Sequence, residues 1–296
     1  MPKQVILVGN DINNINNNYE WSDLIDNLID LVGATGKITY DENKPFPLLY
    51  EEIYVEAEKT KIYDESAIKD FISKDVAKLV ANDIHRRIIN LDINNILTTN
   101  YDLTLEQVLT NAYDSLKNKG SVRENLYSIF RHYQINDKRI WHIHGDANYS
   151  YSITLGYEHY SGYLQQMRNY IVTGTGSSYK RKFPPLRKRL NQNLSEFHSW
   201  LDFFFTHDVH IVGLNMDFVE IHLWWLLTYR KRAIIREKMP VSNSIFYYYP
   251  SKLKEKIENK IDLLNSVGVK SKPLKYDEEN RSIYYNKIID QIENGI

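Results

Sequence analysis

Short apolar runs alternate along the chain with segments in which apolar residues recur every three or four positions. A continuous apolar run predicts a buried strand, and the longer spacing predicts an amphipathic helix. The predicted strands cover residues 5–8, 96–98, 139–143, 152–155, 209–212 and 244–249, with a last one near Val269. The predicted helices cover residues 21–31, 105–116, 160–171, 218–235, 253–264 and 283–292. This alternation predicts an α/β fold with a doubly wound parallel sheet.

Two stretches depart from the alternation. Residues 36–90 are mostly helical in pattern, contain Pro45 and Pro47, and are predicted to form a helical insertion. Residues 173–190 combine a Thr-Gly-Thr-Gly-Ser-Ser run with a cluster of lysines and arginines, and they predict a mobile basic loop. We expect the whole chain, 1–296, to form a single domain around one Rossmann-like sheet.

Composition and charge exclude several classes of protein. The chain has 296 residues, a formal net charge of −1 and no cysteine. Its near-neutral charge gives no overall attraction to nucleic acid or anionic membranes. The absence of cysteine excludes disulfides, cysteine nucleophiles and thiolate zinc sites. No apolar run is long enough for a transmembrane helix, and the first residues do not form a signal peptide, so we expect a cytoplasmic protein.

Polar loops follow four of the predicted strands. The loops carry Gly9, Asn10 and Asp11; Thr98, Thr99, Asn100, Tyr101 and Asp102; His142, His144 and Asp146; and Gly213, Asn215 and Asp217. In a doubly wound fold, ligands bind beyond the carboxyl ends of the strands. We therefore expect all four loops to face one crevice.

The first and last of these loops each begin with a glycine, which permits close approach of a ligand. The amides that follow Gly9 could face a diphosphate, although a full dinucleotide fingerprint has three glycines and this loop has one. The alternative is a polar turn. Asn215 and Asp217 can bind ribose hydroxyls or, alternatively, cap the following helix.

The second loop places small hydroxyls, an amide and a carboxylate at the end of a strand, where they can hold a sugar. Asn100 can both donate and accept hydrogen bonds, so it could orient a ribose hydroxyl or a water molecule. The alternative is that Asp102 or Thr104 only caps the next helix.

The third loop contains two histidines, and His144 is the one that projects into the crevice if the strand ends early. In that position it can act as a general base near neutral pH. One alternative is a buried structural histidine. Another is a zinc site of His142 and His144, for which the sequence shows no clear third ligand.

The four loops together resemble those of the sirtuin-like family, and most closely those of the bacterial defence-associated sirtuin-like NAD hydrolases. The matching elements, in order, are Gly9-Asn10-Asp11 with Trp21 downstream, Thr98-Thr99-Asn100-Tyr101-Asp102, His144-Gly145-Asp146 and the late strand that ends at Gly213. The first loop departs from the family pattern, because Asp11 stands where the second glycine is expected.

The resemblance implies that NAD⁺ is the substrate and that the bond between nicotinamide and ribose is broken. It implies that Asn100 and His144 are catalytic and that Asp102 lies near the nicotinamide and ribose. The residues that it implies for dinucleotide binding are Gly9, Asn10, Asp11, Thr98, Thr99, Tyr101, Asp102, Gly213 and Asn215.

The absence of cysteine favours hydrolysis over protein deacylation. Deacylating sirtuins carry a four-cysteine zinc module, which this chain cannot form, so we expect no zinc module and no metal. We expect a NAD⁺ glycohydrolase that releases nicotinamide and ADP-ribose, as a gated effector of antiphage defence by abortive infection. The alternative is a non-catalytic subunit of a larger defence complex that senses NAD⁺ or another nucleotide.

Gating implies a partner, because a NAD⁺ hydrolase that is always active would damage its own cell and no sensor domain of visible size accompanies this one. We expect a homo-oligomer, a separate activating or sensor protein, or both. Residues 180–189 carry six cationic side chains that could contact nucleic acid, but the neutral overall charge favours a solvated face or an oligomer contact. The apolar helix around 223–227 has no opposing cationic face, so we expect no membrane attachment.

Overall fold

A seven-stranded sheet forms the centre of the protein in a computed structural model that describes residues 3–15, 20–41, 43–120, 128–176, 182–192, 196–277 and 280–295. The strands are β1 (Gln4–Val8), β2 (Asn95–Thr98), β3 (Tyr133–Ile135), β4 (Lys138–His142), β5 (Asp208–Val212), β6 (Ile245–Pro250) and β7 (Val269–Leu274). They lie in the order β3-β4-β2-β1-β5-β6-β7, and all neighbours are parallel except β3 and β4. Counted without β3, the parallel strands have the 3-2-1-4-5-6 order of the Rossmann fold, so the predicted fold class is confirmed.

The strand order reverses at β1, which pairs with β2 on one side and with β5 on the other. Val8, near the end of β1, is aligned with both Thr98 and Val212. The loops after these three strands therefore leave the sheet at one level, at the switch point where Rossmann folds bind ligands.

Helices cover the sheet and extend beyond one end of it. They are α1 (Trp21–Leu31), α2 (Phe46–Thr60), α3 (Glu65–Val76), α4 (Asp83–Asn90), α5 (Thr104–Leu109), α6 (Tyr157–Arg168), α7 (Leu186–Asn191), α8 (Phe203–Thr206), α9 (Ile221–Glu237), α10 (Glu258–Ser266) and α11 (Arg281–Glu293). A π-helical turn over Asn169–Thr173 extends α6.

Both faces of the sheet are buried, as expected for parallel strands. Along β1, Val5 and Leu7 pack into a cluster on one face, whereas Ile6 and Val8 pack into a cluster on the other. The first cluster includes residues of α6 and α9, and the second includes residues of α4 and α11. A third cluster joins α1, α2 and α3 to Tyr101 and to Leu155.

Six of the seven predicted strands are confirmed, and the one predicted at 152–155 is wrong. Ser152 is the last residue of a 3₁₀ turn over Ser150–Ser152, and residues 153–155 have no regular secondary structure. Ile153 and Leu155 are buried, but they pack against the helical third cluster rather than in the sheet. A short buried run resembles a strand whichever element buries it. The antiparallel strand β3 was not predicted.

The predicted helices all occur, but two have different bounds. The helix expected over 105–116 ends at Leu109, and the one expected from Leu253 begins at Glu258. Residues 36–90 contain α2, α3 and α4, of which α4 packs on the sheet. The description of this stretch as an insertion stays a prediction.

The predicted mobile basic loop lies partly outside the described residues, which omit 177–181. The described part of its basic segment is packed: Phe183 and Leu186 are buried, and Arg189 is ion-paired with Asp202 at 3.0 Å between Nη1 and Oδ1. Among the helices of the described ranges, none combines the length and apolar character that crossing a membrane requires.

Candidate active site

A cavity of about 890 Å³ opens at the carboxyl ends of the strands, beside the switch point. Its size is within the range typical of small-molecule sites. All four polar loops contribute to its wall, which confirms that they face one crevice. The wall includes Asn10, Asp11, Thr99, Asn100, Tyr101, Asp102, His144, Gly213 and Asn215 among the residues singled out in the sequence.

Gly9 serves the packing of two loops rather than the cavity wall. A Cβ atom at Gly9 would lie 2.5 Å from the Cα of Leu214 and closer still to the carbonyl oxygen of Gly213. The Gly9 amide donates to Val212 at 2.9 Å, and the Asp11 amide donates to Gly213 at 3.1 Å. The expectation that the amides after Gly9 face a diphosphate is therefore wrong for Asp11, whose N–H is already bonded within the protein.

The Asp11 carboxylate is held by the last helix. It accepts a hydrogen bond from the hydroxyl of Tyr285 and lies 3.8 Å from Nη1 of Arg281. Both residues belong to α11 and line the same cavity. The Asp11 carboxylate thus has a cation for a neighbour that is about 270 residues away in sequence. Nothing in the local sequence pattern could have identified that partner.

Asp102 precedes the N-cap residue of α5, Leu103, and joins two loops. Its Oδ1 accepts from the amide of Thr104, the first residue of α5, at 3.0 Å and from the Thr104 hydroxyl at 2.6 Å. Its Oδ2 accepts from Nδ2 of Asn13 at 2.8 Å, which ties the loop after β2 to the loop after β1. The capping alternative is therefore wrong as to the residue, since Leu103 is the N-cap, but Asp102 does bond the first amide of α5 and also lines the cavity wall.

Asn100 has a fixed backbone and an unused side-chain acceptor. Its amide donates to the hydroxyl of Thr98 at 3.0 Å, and that hydroxyl donates in turn to the carbonyl of Val8 at 3.0 Å. Thr98 thus fixes the backbone of Asn100 through its hydroxyl, and it is not part of the cavity wall. The Oδ1 atom of Asn100 is buried and has no hydrogen-bond partner among the described residues.

The other two residues of this loop are placed by single hydrogen bonds. The amide of Thr99 donates to Val8 at 3.2 Å, and the hydroxyl of Tyr101 donates to the carbonyl of Thr154 at 2.7 Å. Burial raises the pKa of Tyr101 far above its ordinary value, so the phenol stays protonated.

His142 is buried and contacts the backbone of Asn100. Its Nδ1 lies 2.9 Å from the carbonyl oxygen of Asn100, and its Nε2 lies 2.9 Å from Oε1 of Glu106. Burial alone would lower the pKa of His142, but the Glu106 carboxyl outweighs it and the pKa is raised to about 9. The imidazolium can donate at both nitrogens and so fixes the Asn100 backbone. Glu106 was not predicted as a site residue; its only signal in the sequence is an acidic residue in the first turn of the helix after β2.

His144 reaches the cavity because β4 ends at His142. The chain turns at Gly145, whose φ of +88° is one that residues with side chains rarely adopt. Burial lowers the pKa of His144 to about 3, so the imidazole is neutral at physiological pH. Its Nε2 lies 2.9 Å from Nε2 of His222.

Glu220 and His222, at the start of α9, were not predicted from the sequence. Glu220 lines the cavity, and His222 is fully buried beside His144. The Glu220 Oε2 atom lies 3.5 Å from Nε2 of His144 and 3.7 Å from Nε2 of His222. Burial, together with the charge of Asp217, raises the pKa of Glu220 to about 8. The sequence signal was a Glu-x-His spacing at the start of an apolar helix.

Asn215 and Asp217 share one lysine at the cavity rim. Lys260 Nζ donates to the Asn215 carbonyl at 2.9 Å and to Oδ1 of Asp217 at 3.1 Å. Asn215 Nδ2 also donates to Asp217 at 2.7 Å. The two side chains therefore bind each other and α10, and neither caps α9, whose preceding residue is Glu220.

An aromatic lobe completes the cavity between β6 and α11. It is lined by Tyr247, Tyr248, Tyr249, Tyr276, Tyr284 and Tyr285, with the cationic residues Lys252 and Arg281. Aromatic rings and cations in one concave surface can bind a planar base and an anionic group together.

When the chain is compared with known proteins, part of it matches one family model. No curated protein matches the chain. Residues 94–213, from the start of β2 to just beyond β5, match the family model described as SIR2-like domain. The matched range contains Asn100, His144 and Gly213, and the SIR2-like family uses NAD⁺ as a substrate. The match and the Rossmann-like sheet together support a sirtuin-like family for this chain.

Proposed function

We propose that the protein is a NAD⁺ glycohydrolase that cleaves the bond between nicotinamide and ribose to give nicotinamide and ADP-ribose. The observation that carries the proposal is the pairing of Asn100 Oδ1, buried and without a partner among the described residues, with His144 in the wall of one cavity. The SIR2-like match over both residues supports NAD⁺ as the ligand.

The unused Asn100 oxygen suits the reaction because it is an acceptor in a place that excludes bulk water. An unbonded buried acceptor costs folding free energy of roughly 1–3 kcal/mol, which a bound ligand or water can offset. Cleavage of an N-glycosidic bond passes through a state in which positive charge develops on the ribose. An amide oxygen fixed beside that charge stabilises it and orients the attacking water.

The neutral imidazole of His144 suits the same reaction. Because burial lowers its pKa to about 3, His144 can accept a hydrogen bond from a ribose hydroxyl or a water but does not supply a proton at neutral pH. Nicotinamide leaves as a neutral base, so no strong acid is required. His142 and Thr98 act indirectly in this proposal, since they hold the Asn100 backbone.

The remaining wall residues can hold the rest of the dinucleotide. With the Gly9 and Asp11 amides bonded inside the protein, side chains replace the glycine-loop amides as anion partners in this proposal. Arg281 and Lys252 are the cations in the wall of the aromatic lobe. Asn10, Thr99, Tyr101, Asp102, Gly213 and Asn215 stay proposed contacts of the dinucleotide.

The cellular role that we propose is a gated effector of antiphage defence, which depletes NAD⁺ when it is activated. Uncontrolled hydrolysis of NAD⁺ would harm the cell that makes the enzyme. We therefore propose that self-assembly, a separate activating protein, or both switch it on.

The direct test is incubation of the concentrated protein with NAD⁺, followed by chromatography of nicotinamide and ADP-ribose. His144→Ala should lower nicotinamide release by about 10²-fold or more, as loss of a positioned proton acceptor does. His198→Ala is a matched control, because His198 is outside the cavity wall. Release that is equal in wild type and His144→Ala would contradict the assignment.

Calorimetry with NAD⁺ separates the enzyme from a sensing subunit. Binding without release of nicotinamide, in protein supplied with its activator, would favour the non-catalytic sensor of NAD⁺ or another nucleotide. Absence of binding would overturn the nucleotide site itself.

A further inference from the structure

We propose that His144, Glu220 and His222 form a binding site for a divalent transition-metal ion of the zinc class. The site lies where the turn after β4 meets the start of α9. His144 and Glu220 line the cavity, and His222 is fully buried beside them. This inference goes beyond the proposed hydrolysis of NAD⁺, which needs no metal.

The spacing of the three ligand atoms fits one shared ion. The two Nε2 atoms are 2.9 Å apart, and Oε2 of Glu220 lies 3.5 Å from His144 and 3.7 Å from His222. Zinc bonds to nitrogen and oxygen of about 2.0–2.1 Å in a tetrahedral site place neighbouring ligand atoms about 3.3 Å apart. Shifts of a few tenths of an ångström would bring all three atoms to that spacing.

Hydrogen bonding alone does not account for the cluster. Separations of 3.5 and 3.7 Å are too long for hydrogen bonds from imidazole to carboxylate. Glu220 Oε2 and His222 Nδ1 are both buried without a partner among the described residues. An ion held by Oε2 and the two Nε2 atoms would satisfy the carboxylate oxygen. The ring proton of His222 would then be on Nδ1, which has no acceptor among the described residues.

The chemistry of the ligand set selects the class of metal. Two imidazoles and one carboxylate are the protein ligands of one type of catalytic zinc site, in which a fourth position is left for water or substrate. Magnesium and calcium prefer sets made only of oxygen atoms.

The ligands are also held in place. His222 packs against the rings of Tyr160 and Tyr163, with centroids 5.5 and 5.7 Å away. The rings of His144 and Tyr160 pack edge to face, with their centroids 5.6 Å apart. These contacts limit rotation of both imidazoles, and ligands that are already ordered lose little conformational entropy when an ion binds.

A metal at this site has a predictable effect on the proposed reaction. An ion on Nε2 forces the ring proton of His144 onto Nδ1, which leaves the imidazole without a free lone pair. His144 could then no longer accept a hydrogen bond from ribose or water. We therefore expect the zinc-loaded protein to cleave NAD⁺ more slowly than the metal-free protein.

The test is zinc binding by the full chain after removal of metals with a chelator. Equilibrium dialysis against Zn²⁺ with elemental analysis should give one zinc per chain for wild type. Affinity should fall about 10-fold or more in Glu220→Gln and in His222→Asn, as it does when the ligands of a zinc site are disturbed. Zinc X-ray absorption of the wild type should show nitrogen and oxygen ligands near 2.0–2.1 Å.

Glu65→Gln is the matched control for these variants. Oε1 of Glu65 lies 2.7 Å from Nε2 of His159, so Glu65 is also a carboxylate beside a histidine. Unlike Glu220, it has an ammonium nearby, because Nζ of Lys69 lies 3.6 Å from the same oxygen and supplies the positive charge that a metal ion would otherwise bring. This variant should bind zinc as wild type does. Substoichiometric zinc in the wild type, or equal affinity in wild type and both cluster variants, would overturn the proposal and leave a hydrogen-bonded pair of histidines.

The two proposals fail separately. Zinc binding is measured without NAD⁺, so a protein that binds zinc but cleaves no NAD⁺ would contradict only the proposed function. Cleavage by chelated protein without zinc binding would contradict only the metal site.

Discussion

Polar side chains at the two ends of the sheet differ in how completely they are bonded within the protein. At the amino end, Lys138 donates to the carbonyls of Leu91 and Ile93 at 2.6 and 3.0 Å, and Arg139 donates to Gln134 at 2.8 Å. At the carboxyl end, the buried atoms without a partner among the described residues include Asn100 Oδ1, Glu220 Oε2 and His222 Nδ1.

The difference distinguishes residues that stabilise the fold from residues that are available to a ligand. A polar group bonded inside the protein contributes to stability, whereas an unbonded buried group lowers stability. Unbonded buried groups can be retained when they contact a bound ligand. Concavity is a weaker criterion, because a hollow of about 580 Å³ also lies at the amino end, beside Arg139.

The largest expected loss of stability is at Gly9, which lies at the carboxyl end but has a structural role. Gly9→Ala places a methyl group against the backbone of Gly213 and Leu214, which cannot rotate away. We expect the free energy of unfolding to fall by roughly 3 kcal/mol or more, measured by urea denaturation. Gly176→Ala is the control, because its Cβ would have no atom of the described residues within 4 Å. Equal stability of the two variants would show that the two loops are not packed as described.

The amino end can be weakened without touching the cavity. Lys138→Met removes the ammonium that binds two carbonyls at the edge of the sheet. We expect a loss of about 2–3 kcal/mol in urea denaturation, because a buried acceptor is left without its donor. Nicotinamide release per folded molecule should be unchanged. A selective loss of activity in the folded variant would break the distinction between the two ends.

The middle of the sheet should titrate independently of the cavity. Burial lowers the pKa of His210, on β5, to about 4, compared with 6.5 in the unfolded chain. Between these values the unfolded chain takes up a proton that the folded chain does not, so stability falls as pH drops from 6.5 towards 4. His210 should contribute a loss of about 2 kcal/mol between pH 7 and pH 5. Urea denaturation of His210→Gln should show a pH dependence that is smaller by this amount; an unchanged dependence would contradict the assignment.

The smallest expected loss of stability is at Asn100. Truncation to alanine removes a buried oxygen that has no partner among the described residues, so little hydrogen-bond energy is lost. Asn100→Ala should change the free energy of unfolding by less than about 1 kcal/mol. A loss as large as that of Lys138→Met would mean that Asn100 stabilises the fold and is not kept for a ligand.

Sequence periodicity predicted the strands that are buried on both faces, because the central residues of β1, β2 and β5 are mostly apolar. It failed at Ile153 and Leu155, since a helical cluster can bury a short run as well as a sheet can. The convergence of four loops followed from parallel strand order alone. The partners of the site residues could not be predicted from the sequence. Arg281 lies near Asp11, and Glu220 lies near His144, because the tertiary fold brings them together and not because they are close in sequence.

The most direct test of the account compares nicotinamide release from NAD⁺ by one variant from each end of the sheet, Asn100→Ala and Arg139→Ala. Both positions carry polar side chains, and only Asn100 lines the cavity of the carboxyl end. The account predicts a loss of about 10²-fold or more for Asn100→Ala, with near wild-type release by Arg139→Ala. Release by Asn100→Ala that equals that of wild type, or equal losses in both variants, would contradict it.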